Sequence, residues 1–322
     1  MNIYVFSPSN SVAGGAECMH QIVRSLKDSH FNAYITYYNG RSGGKAIKYF
    51  SKYNCPVYSG SFNEIDREEN FIIFPEIATL LSKLFLKSKK IIYWASIDNY
   101  LGNKENLSLK NNFKNKLKYL LGINAVSIYK MNDFYHFTQS YYASNFIMKR
   151  GYTHYHIGDY VHNDFTENQY SKNNTIIYNP KKGSKYIEKF KNIYKDYNFV
   201  PLINLTRDEM VTKIIESKVY LDFGLHPGKD RIPREAAKLN CCIITGKFGS
   251  SKNEFDIPIP DFYKINPSME NLFFESLKNK IDFIFNNFDE AHKDFGVYRN
   301  KISFEKTFFD KSIKHFFNHF NF

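Results

Sequence analysis

The sequence predicts an α/β chain built from two doubly wound domains, and three observations carry that prediction. Short apolar strands alternate with amphipathic helices from the first residues onward, the alternation breaks in a polar, irregular stretch from Gly158 to Asn174, and a second alternating series begins at Thr175. Repeated strand–helix units require parallel strands joined by right-handed crossovers, so each series closes into its own sheet. The expected division is residues 1–160 and residues 161–322, with a cleft between the two domains and the last helices assigned to the second.

In the first half, Asn2 to Phe6 reads as a strand and Ser7 to Gly15 as a loop. Ala16 to Lys27 reads as a helix, because Met19, Ile22, Val23 and Leu26 recur at the spacing of one buried face. Asn32 to Tyr38, Phe71 to Phe74 and Lys90 to Ala95 are further strands. Leu101 to Lys118, rich in Asn and Lys and poor in apolar periodicity, reads as a mobile excursion from the sheet. Phe134 to Thr138 and a helix from Ser140 to Lys149 close the half. In the second half the strands are Thr175 to Tyr178, Phe199 to Leu202, a short apolar run ending near Asp222, and Cys241 to Thr245. The helices are Lys185 to Tyr194, Arg207 to Ser217 and one with Pro233 in its first turn, where proline is well placed. Met269 to Phe322 is mostly helical, with Leu272, Phe273, Leu277, Ile281, Ile284 and Phe285 on one face.

Composition narrows the function classes. At 322 residues with 43% apolar and 18% aromatic content, the chain carries enough material for two cores. No run approaches the roughly 20 apolar residues that span a bilayer, and the chain enters its first strand at once, so neither an anchor nor a leader is expected. Cys18, Cys55, Cys241 and Cys242 lack metal-ligand spacing and read as reduced thiols of a cytoplasmic protein. The formal charge of +12 fits two explanations: drift toward a Lys- and Asn-rich composition, or work at the anionic inner face of the cell membrane. No helix-turn-helix, zinc-finger or RNA-recognition signature accompanies the charge, which argues against a nucleic-acid partner.

Chemistry concentrates between Leu221 and Gly246. An apolar strand leads into a polar loop from Gly224 to Arg231, then a helix, then a second strand, which puts the loop at the carboxyl edge of a parallel sheet, where open α/β folds bind ligands. His226, Lys229, Asp230, Arg231, Arg234 and Glu235 crowd that loop and the helix start, a set suited to an anionic ligand that carries hydroxyls. Gly14 and Gly15 lie between the first strand and first helix, where missing Cβ atoms and helix-start amides can admit a phosphate. Lys181 and Lys182 follow the strand that opens the second half, and Gly249 and Ser250 follow another. His136, Glu76 and Asp98 stand at strand ends in the first half and are candidate acceptor ligands or bases.

Two such domains with special loops in both resemble the GT-B glycosyltransferases, of the retaining, bacterial polysaccharide or O-antigen type. The resemblance rests on the segment from Ser11 to Glu17, on Ile176 to Gly183, and on Arg234 to Gly246, which is similar to the pattern in which a helix-start Glu bonds the ribose of the nucleotide. It implies two Rossmann-like domains, an N-terminal acceptor-side domain and a C-terminal donor domain. It also implies transfer of a sugar from a nucleotide-sugar donor, a substrate and not a cofactor, to a hydroxyl of a saccharide or lipid-linked acceptor. Glu235 takes the ribose position, Lys181, Lys182, Arg234, Gly14, Gly15, Gly249 and Ser250 surround the diphosphate, and His226, Lys229, Arg231 and His136 complete the catalytic set. No Asp-x-Asp triplet is present, which agrees with a metal-independent hexosyltransferase. The sequence departs from the family at Pro227, where the first acid of Glu-x7-Glu belongs, and its Lys181–Lys182 pair lacks the Arg-x4-Lys spacing. Two other readings stay open: a transferase using a CMP-activated acidic sugar, from His226 next to Pro227, and a catalytically silent nucleotide-sugar or polysaccharide-binding protein.

Overall fold

The computed structural model describes residues 1–40, 44–102, 109–121, 123–162, 171–267 and 270–320. The chain divides into two compact units, Met1–Asp159 with Lys306–Phe322, and Tyr160–Glu305. Part of the connection read as polar and irregular, residues 163–170, lies outside the described residues.

The first unit carries β1 (Ile3–Pro8), α1 (Gly14–Asp28), β2 (Ala33–Tyr38), α2 (Gly44–Tyr49), α3 (Phe62–Ile65), β3 (Phe71–Pro75), β4 (Lys89–Trp94), α4 (Ile97–Leu101), α5 (Leu109–Leu120), β5 (Tyr135–Thr138), α6 (Tyr141–Met148) and β6 (Tyr155–His156). Its six strands are all parallel, in the order β2-β1-β3-β4-β5-β6. Alternation along each strand sends Tyr4, Phe6, Ile72, Phe74, Ile92 and Trp94 into one core with Ile97, Tyr100, Ala143 and Ile147. The expected excursion from Leu101 to Lys118 is corrected in part: Leu109–Leu120 is helical, with apolar residues four apart at Phe113 and Leu117, while residues 103–108 lie outside the described set.

The second unit carries β7 (Asn173–Tyr178), α7 (Ser184–Ile193), β8 (Asn198–Pro201), α8 (Arg207–Glu216), β9 (Ser217–Asp222), α9 (Arg231–Lys238), β10 (Cys242–Gly246), β11 (Lys264–Ile265), α10 (Glu270–Asn286), α11 (Phe288–Lys293) and the start of α12 (Gly296–Asn318). Its five strands are parallel in the order β11-β10-β9-β7-β8. Ile176, Ile177, Val219, Leu221, Ile243 and Ile244 fill the sheet's core, against Ile187 and Phe190 of α7 and Phe273, Leu277, Ile281 and Ile284 of α10. The alternating pattern therefore yields the fold class it predicts.

The chain's end departs from the expected assignment. Residues 306–322 fall in the first unit, not the second. The reason is aromatic: Phe316 packs edge-on to Phe137 at 4.7 Å and to Tyr135 at 5.4 Å, and Phe317 packs edge-on to Phe71 at 5.2 Å. Such contacts add to the burial of rings that would otherwise face water.

Candidate functional site

In the second unit, the chain leaves β7 toward β8 on one side, while β9 pairs with β7 on the other. Connections that diverge in this way open a crevice at the carboxyl ends of the two central strands, the general ligand position of open parallel sheets. Here the crevice is a cavity of about 90 Å³, lined by Asn179 and Lys182 after β7, by Tyr220, Asp222 and Asp230 at and after β9, and by Arg231, Ile232 and Pro233 at the start of α9. The size admits a phosphate more readily than a whole nucleotide, since sites for complete ligands span about 300–1,000 Å³. A larger open cavity of about 400 Å³ lies beside Lys247, Lys252, Phe255 and Lys264. It opens at the sheet edge, where Lys247 is already paired with the exposed Asp261 at 2.7 Å, and carries none of the clustered loop residues.

The loop from Asp222 to Asp230 is held by charge. His226 has a left-handed backbone, φ +47°, unusual for a residue with a side chain. Its Nε2 lies 3.2 Å from Asp222 Oδ1 and its Nδ1 lies 3.2 Å from Asp230 Oδ2, with the imidazole fully enclosed. Burial alone would push its pKa down, but Asp222 and Asp230 outweigh burial and raise it to about 10. His226 is therefore a fixed imidazolium between two carboxylates. Asp222 also accepts from the Tyr220 hydroxyl at 3.0 Å and from the Gly224 amide at 3.0 Å, and Asp230 pairs with Lys182 Nζ at 2.5 Å. Against burial, Lys182 and His226 hold the Asp230 carboxyl well below the usual range, and His226 does the same for Asp222. Asp222, His226 and Asp230 form a group of metal-ligating type among the described residues. Its carboxylates already face two cations, which leaves little negative charge to attract a third.

Two further clusters complete the helix start. Glu235, 2% exposed at its side chain, accepts from Arg207 Nη1 at 2.7 Å and Nη2 at 2.9 Å, and lies 3.4 Å from Arg231 Nη2. The fork-on-carboxylate geometry with Arg207 is the bidentate arrangement that gives charge-assisted bonds their strength. Below it, Glu305 of α12 pairs with Lys229 at 2.9 Å and Arg234 at 2.8 Å, and Arg234 also donates to the carbonyls of Lys229 and Asp230. Lys182, Arg207, His226, Lys229, Arg231 and Arg234 thus interleave with Asp222, Asp230, Glu235 and Glu305 in one dense ionic cluster at the carboxyl edge of the sheet.

The expected site residues fall into distinct places. Lys182, Arg231 and Glu235 come together around the crevice, and Lys181 is exposed on the same loop, its amide donating to Asn179 Oδ1 at 3.0 Å. Lys229 and Arg234 stand one layer beneath, bracing the loop backbone. Gly249 and Ser250 do not line the crevice, a correction to the phosphate role expected of them. Ser250 Oγ donates to Gly228 O at 2.6 Å and its amide to His226 O at 2.9 Å, so both groups serve the loop. Gly249 has φ +49°, and a Cβ there would sit 2.1 Å from His226 O, so only glycine lets the two backbones approach. His136 is likewise corrected. It is 1% exposed inside the first unit, Trp94 Nε1 donates to its Nδ1 at 3.1 Å, and burial pushes its pKa down to about 4, so it is a neutral core histidine. Gly14 and Gly15 open α1 without a side-chain cap, and a Cβ on Gly15 would meet open space. Three contributors escaped the sequence: Asp222, visible only as an acid closing an apolar strand; Arg207, one of many basic helix starts; and Glu305, which carries no local signal.

No family model matches the sequence, and no curated protein matches it. Solved structures do. HepE from Anabaena, crystallised with UDP-glucose, superposes with a TM-score of 0.61 over 99% of this chain and 98% of its own at 11% identity. An α,α-trehalose-phosphate synthase (UDP-forming) from Burkholderia vietnamiensis gives 0.59 over 100% of both chains at 10% identity. The sucrose-phosphate synthase of Thermosynechococcus elongatus gives 0.58 over 100% of this chain and 98% of its own at 9% identity. The chain has the GT-B fold. At these identities the likeness is one of architecture: two Rossmann-like domains, shared from end to end.

Proposed function

We propose that this chain is a glycosyltransferase that takes a hexose from a nucleotide-sugar donor and passes it to a hydroxyl of a saccharide or lipid-linked acceptor in surface-polysaccharide assembly. The observation that carries the reading is that the β7/β9 crevice is lined by two partly exposed cations, Lys182 and Arg231, beside the start of α9, in a fold whose solved examples include a UDP-glucose complex. A diphosphate needs cations so placed. Lys182 and Arg231, each partly open to solvent, would hold it together with the exposed Lys181, and the start of α9 adds its amides. Glu235 would accept from the ribose hydroxyls once Arg207, which is 39% exposed and can swing into water, releases it. The Gly14–Gly15 turn, which opens α1 without a side-chain cap, stays a proposed phosphate contact within the first unit.

In this reading the bond between the sugar and the diphosphate breaks with its electron pair going to the diphosphate. The acceptor hydroxyl oxygen forms the new bond to the sugar carbon, and its proton passes to the departing nucleoside diphosphate. The cations stabilise charge where it develops, which is the main term available in the crevice, so a divalent metal is not required. His226, with both nitrogens facing carboxylates, positions the loop and is not a base. The same enclosure takes away the support for a CMP-sugar transferase in which His226 would face the donor phosphate. Retention of anomeric configuration is part of the proposal through the fold family. UDP release from UDP-glucose, followed by chromatography for the wild type and Lys182→Ala, tests it: the variant should release UDP at least about tenfold more slowly, and an unchanged rate would remove Lys182 from the site.

A further inference from the structure

Among the described side chains of helix α5 and the residue after it, the large apolar ones face outward. Phe113, Leu117 and Leu121 recur four residues apart and are 70%, 47% and 66% exposed. A step of four residues advances only about 40° around a helix, so the three form one stripe. Just beyond the helix Ile123 is 59% exposed, and its amide donates to Lys118 O at 2.9 Å. On the opposite side Asn115 is half-buried and its side-chain amide donates to Gly102 O at 3.1 Å. Helices of globular domains bury the apolar stripe and expose the polar face. Among the described side chains here, polar Asn115 is the half-buried one and the apolar Phe113, Leu117 and Leu121 face water.

Lys114 and Lys118, both exposed, stand on one border of the stripe. An apolar strip edged by lysines is the pattern of a helix lying in a membrane interface, with rings and aliphatic groups at the headgroup–acyl boundary and ammonium groups on phosphates. Among the described residues no helix is long and apolar enough to cross a membrane, so contact at the surface is the relevant mode. A second copy of the chain fits the stripe less well, because it would bring two lysine borders together on molecules that each carry a formal charge of +12.

We infer that α5 docks on an anionic phospholipid surface, with Phe113, Leu117 and Leu121 entering the interface and Lys114 and Lys118 reading its charge. The inference adds a partner to the transferase reading without depending on it, since a lipid-linked acceptor would be presented at such a surface. Flotation of the full chain with vesicles of phosphatidylcholine, alone or mixed with phosphatidylglycerol, tests it. Binding should be confined to the mixed vesicles and should weaken as salt rises. Lys114→Glu and Lys118→Glu should each lower affinity about fivefold or more, and Phe113→Ser/Leu117→Ser/Leu121→Ser should abolish flotation while the melting curve and calorimetric UDP-glucose affinity stay at wild-type values. Absence of wild-type binding to mixed vesicles, or wild-type flotation of the triple variant, overturns the inference. So does a wild-type dimer in lipid-free ultracentrifugation that the triple variant dissolves when neither protein floats. Failure of the wild type to bind any activated sugar, with flotation intact, would count against the transferase reading alone.

Discussion

Replacing Glu235 by Ala removes the acceptor of three guanidinium contacts, at 2.7, 2.9 and 3.4 Å, and its two consequences can be separated. The first concerns stability. Arg207 is 39% exposed and regains water when its partner is lost, so the cost should be nearer the lower end for charge-assisted bonds, about 1–2 kcal/mol, or a fall in Tm of roughly 2–8 °C for a chain of this size. The second concerns the donor. If the carboxylate accepts from ribose hydroxyls, its loss should weaken binding by about 1.5–3 kcal/mol, which is roughly 10- to 150-fold in Kd. Arg207→Ala provides the contrast, because Glu235, still beside Arg231, no longer has to exchange Arg207 for ribose. Its stability should fall comparably, yet its affinity should hold or rise by a few fold. Titration calorimetry of UDP-glucose into the wild type, both single variants and the double variant reads all four corners of the cycle. A folded Glu235→Ala protein with wild-type affinity would refute the ribose assignment, and an Arg207→Ala protein that loses as much affinity as Glu235→Ala would make Arg207 the ligand group instead.

Other outcomes follow from the same geometry. Gly249→Ala should destabilise the second unit by about 3 kcal/mol or more in urea melts, because its Cβ would meet His226 O at 2.1 Å in a left-handed backbone; wild-type stability would show that the loop relaxes without cost. Raising the pH should destabilise the protein from about 6.5 onward, most steeply midway between 6.5 and 10 and levelling off above about 10, because the His226 pKa is raised on folding and its contribution is complete only below the unfolded value. Asp222 and Asp230, whose values are depressed, act in the opposite sense and withdraw stability as the pH falls below about 4. Urea midpoints from pH 4 to 10 should therefore be highest between these limits, with the alkaline fall flattened in His226→Asn; an equally steep fall in that variant would locate the titration elsewhere. UDP release should survive EDTA, given that Asp222 and Asp230 already face His226 and Lys182, whereas complete loss restored by magnesium would contradict the metal-free reading.

The fold was largely legible in the sequence because it is written in local terms. The strand Phe71–Pro75 is an unbroken apolar run, Cys242–Gly246 begins as one, and α1 carries its buried face at the expected spacing. The tail could not be assigned correctly from pattern alone, since its apolar face says that Phe316 and Phe317 are buried and not which sheet buries them. Nor could α5, because an apolar stripe diluted by Asn and Lys resembles a polar excursion unless its spacing of four is followed through to Leu121. In the site, the crowding of His226, Lys229, Asp230, Arg231, Arg234 and Glu235 marked the right loop, but chemistry by residue type overstated which of them reach solvent. His226 and Ser250 are spent on holding the backbone, and the groups that neutralise the cluster, Asp222 and Glu305, come from a strand end and from a helix whose sequence gives no hint of the partnership.

The most direct test of the central claim is a binding and turnover panel of UDP-, GDP-, ADP-, dTDP- and CMP-activated sugars, with calorimetric titration followed by measurement of nucleotide release in the presence of EDTA. The account predicts that a nucleoside-diphosphate sugar binds and is slowly cleaved, and that Lys182→Ala and Arg231→Ala each reduce the cleavage rate by at least about tenfold while the fold is kept. Binding without any release would leave a nucleotide-sugar-binding protein in place of an enzyme, and a chain that binds no member of the panel would contradict the account.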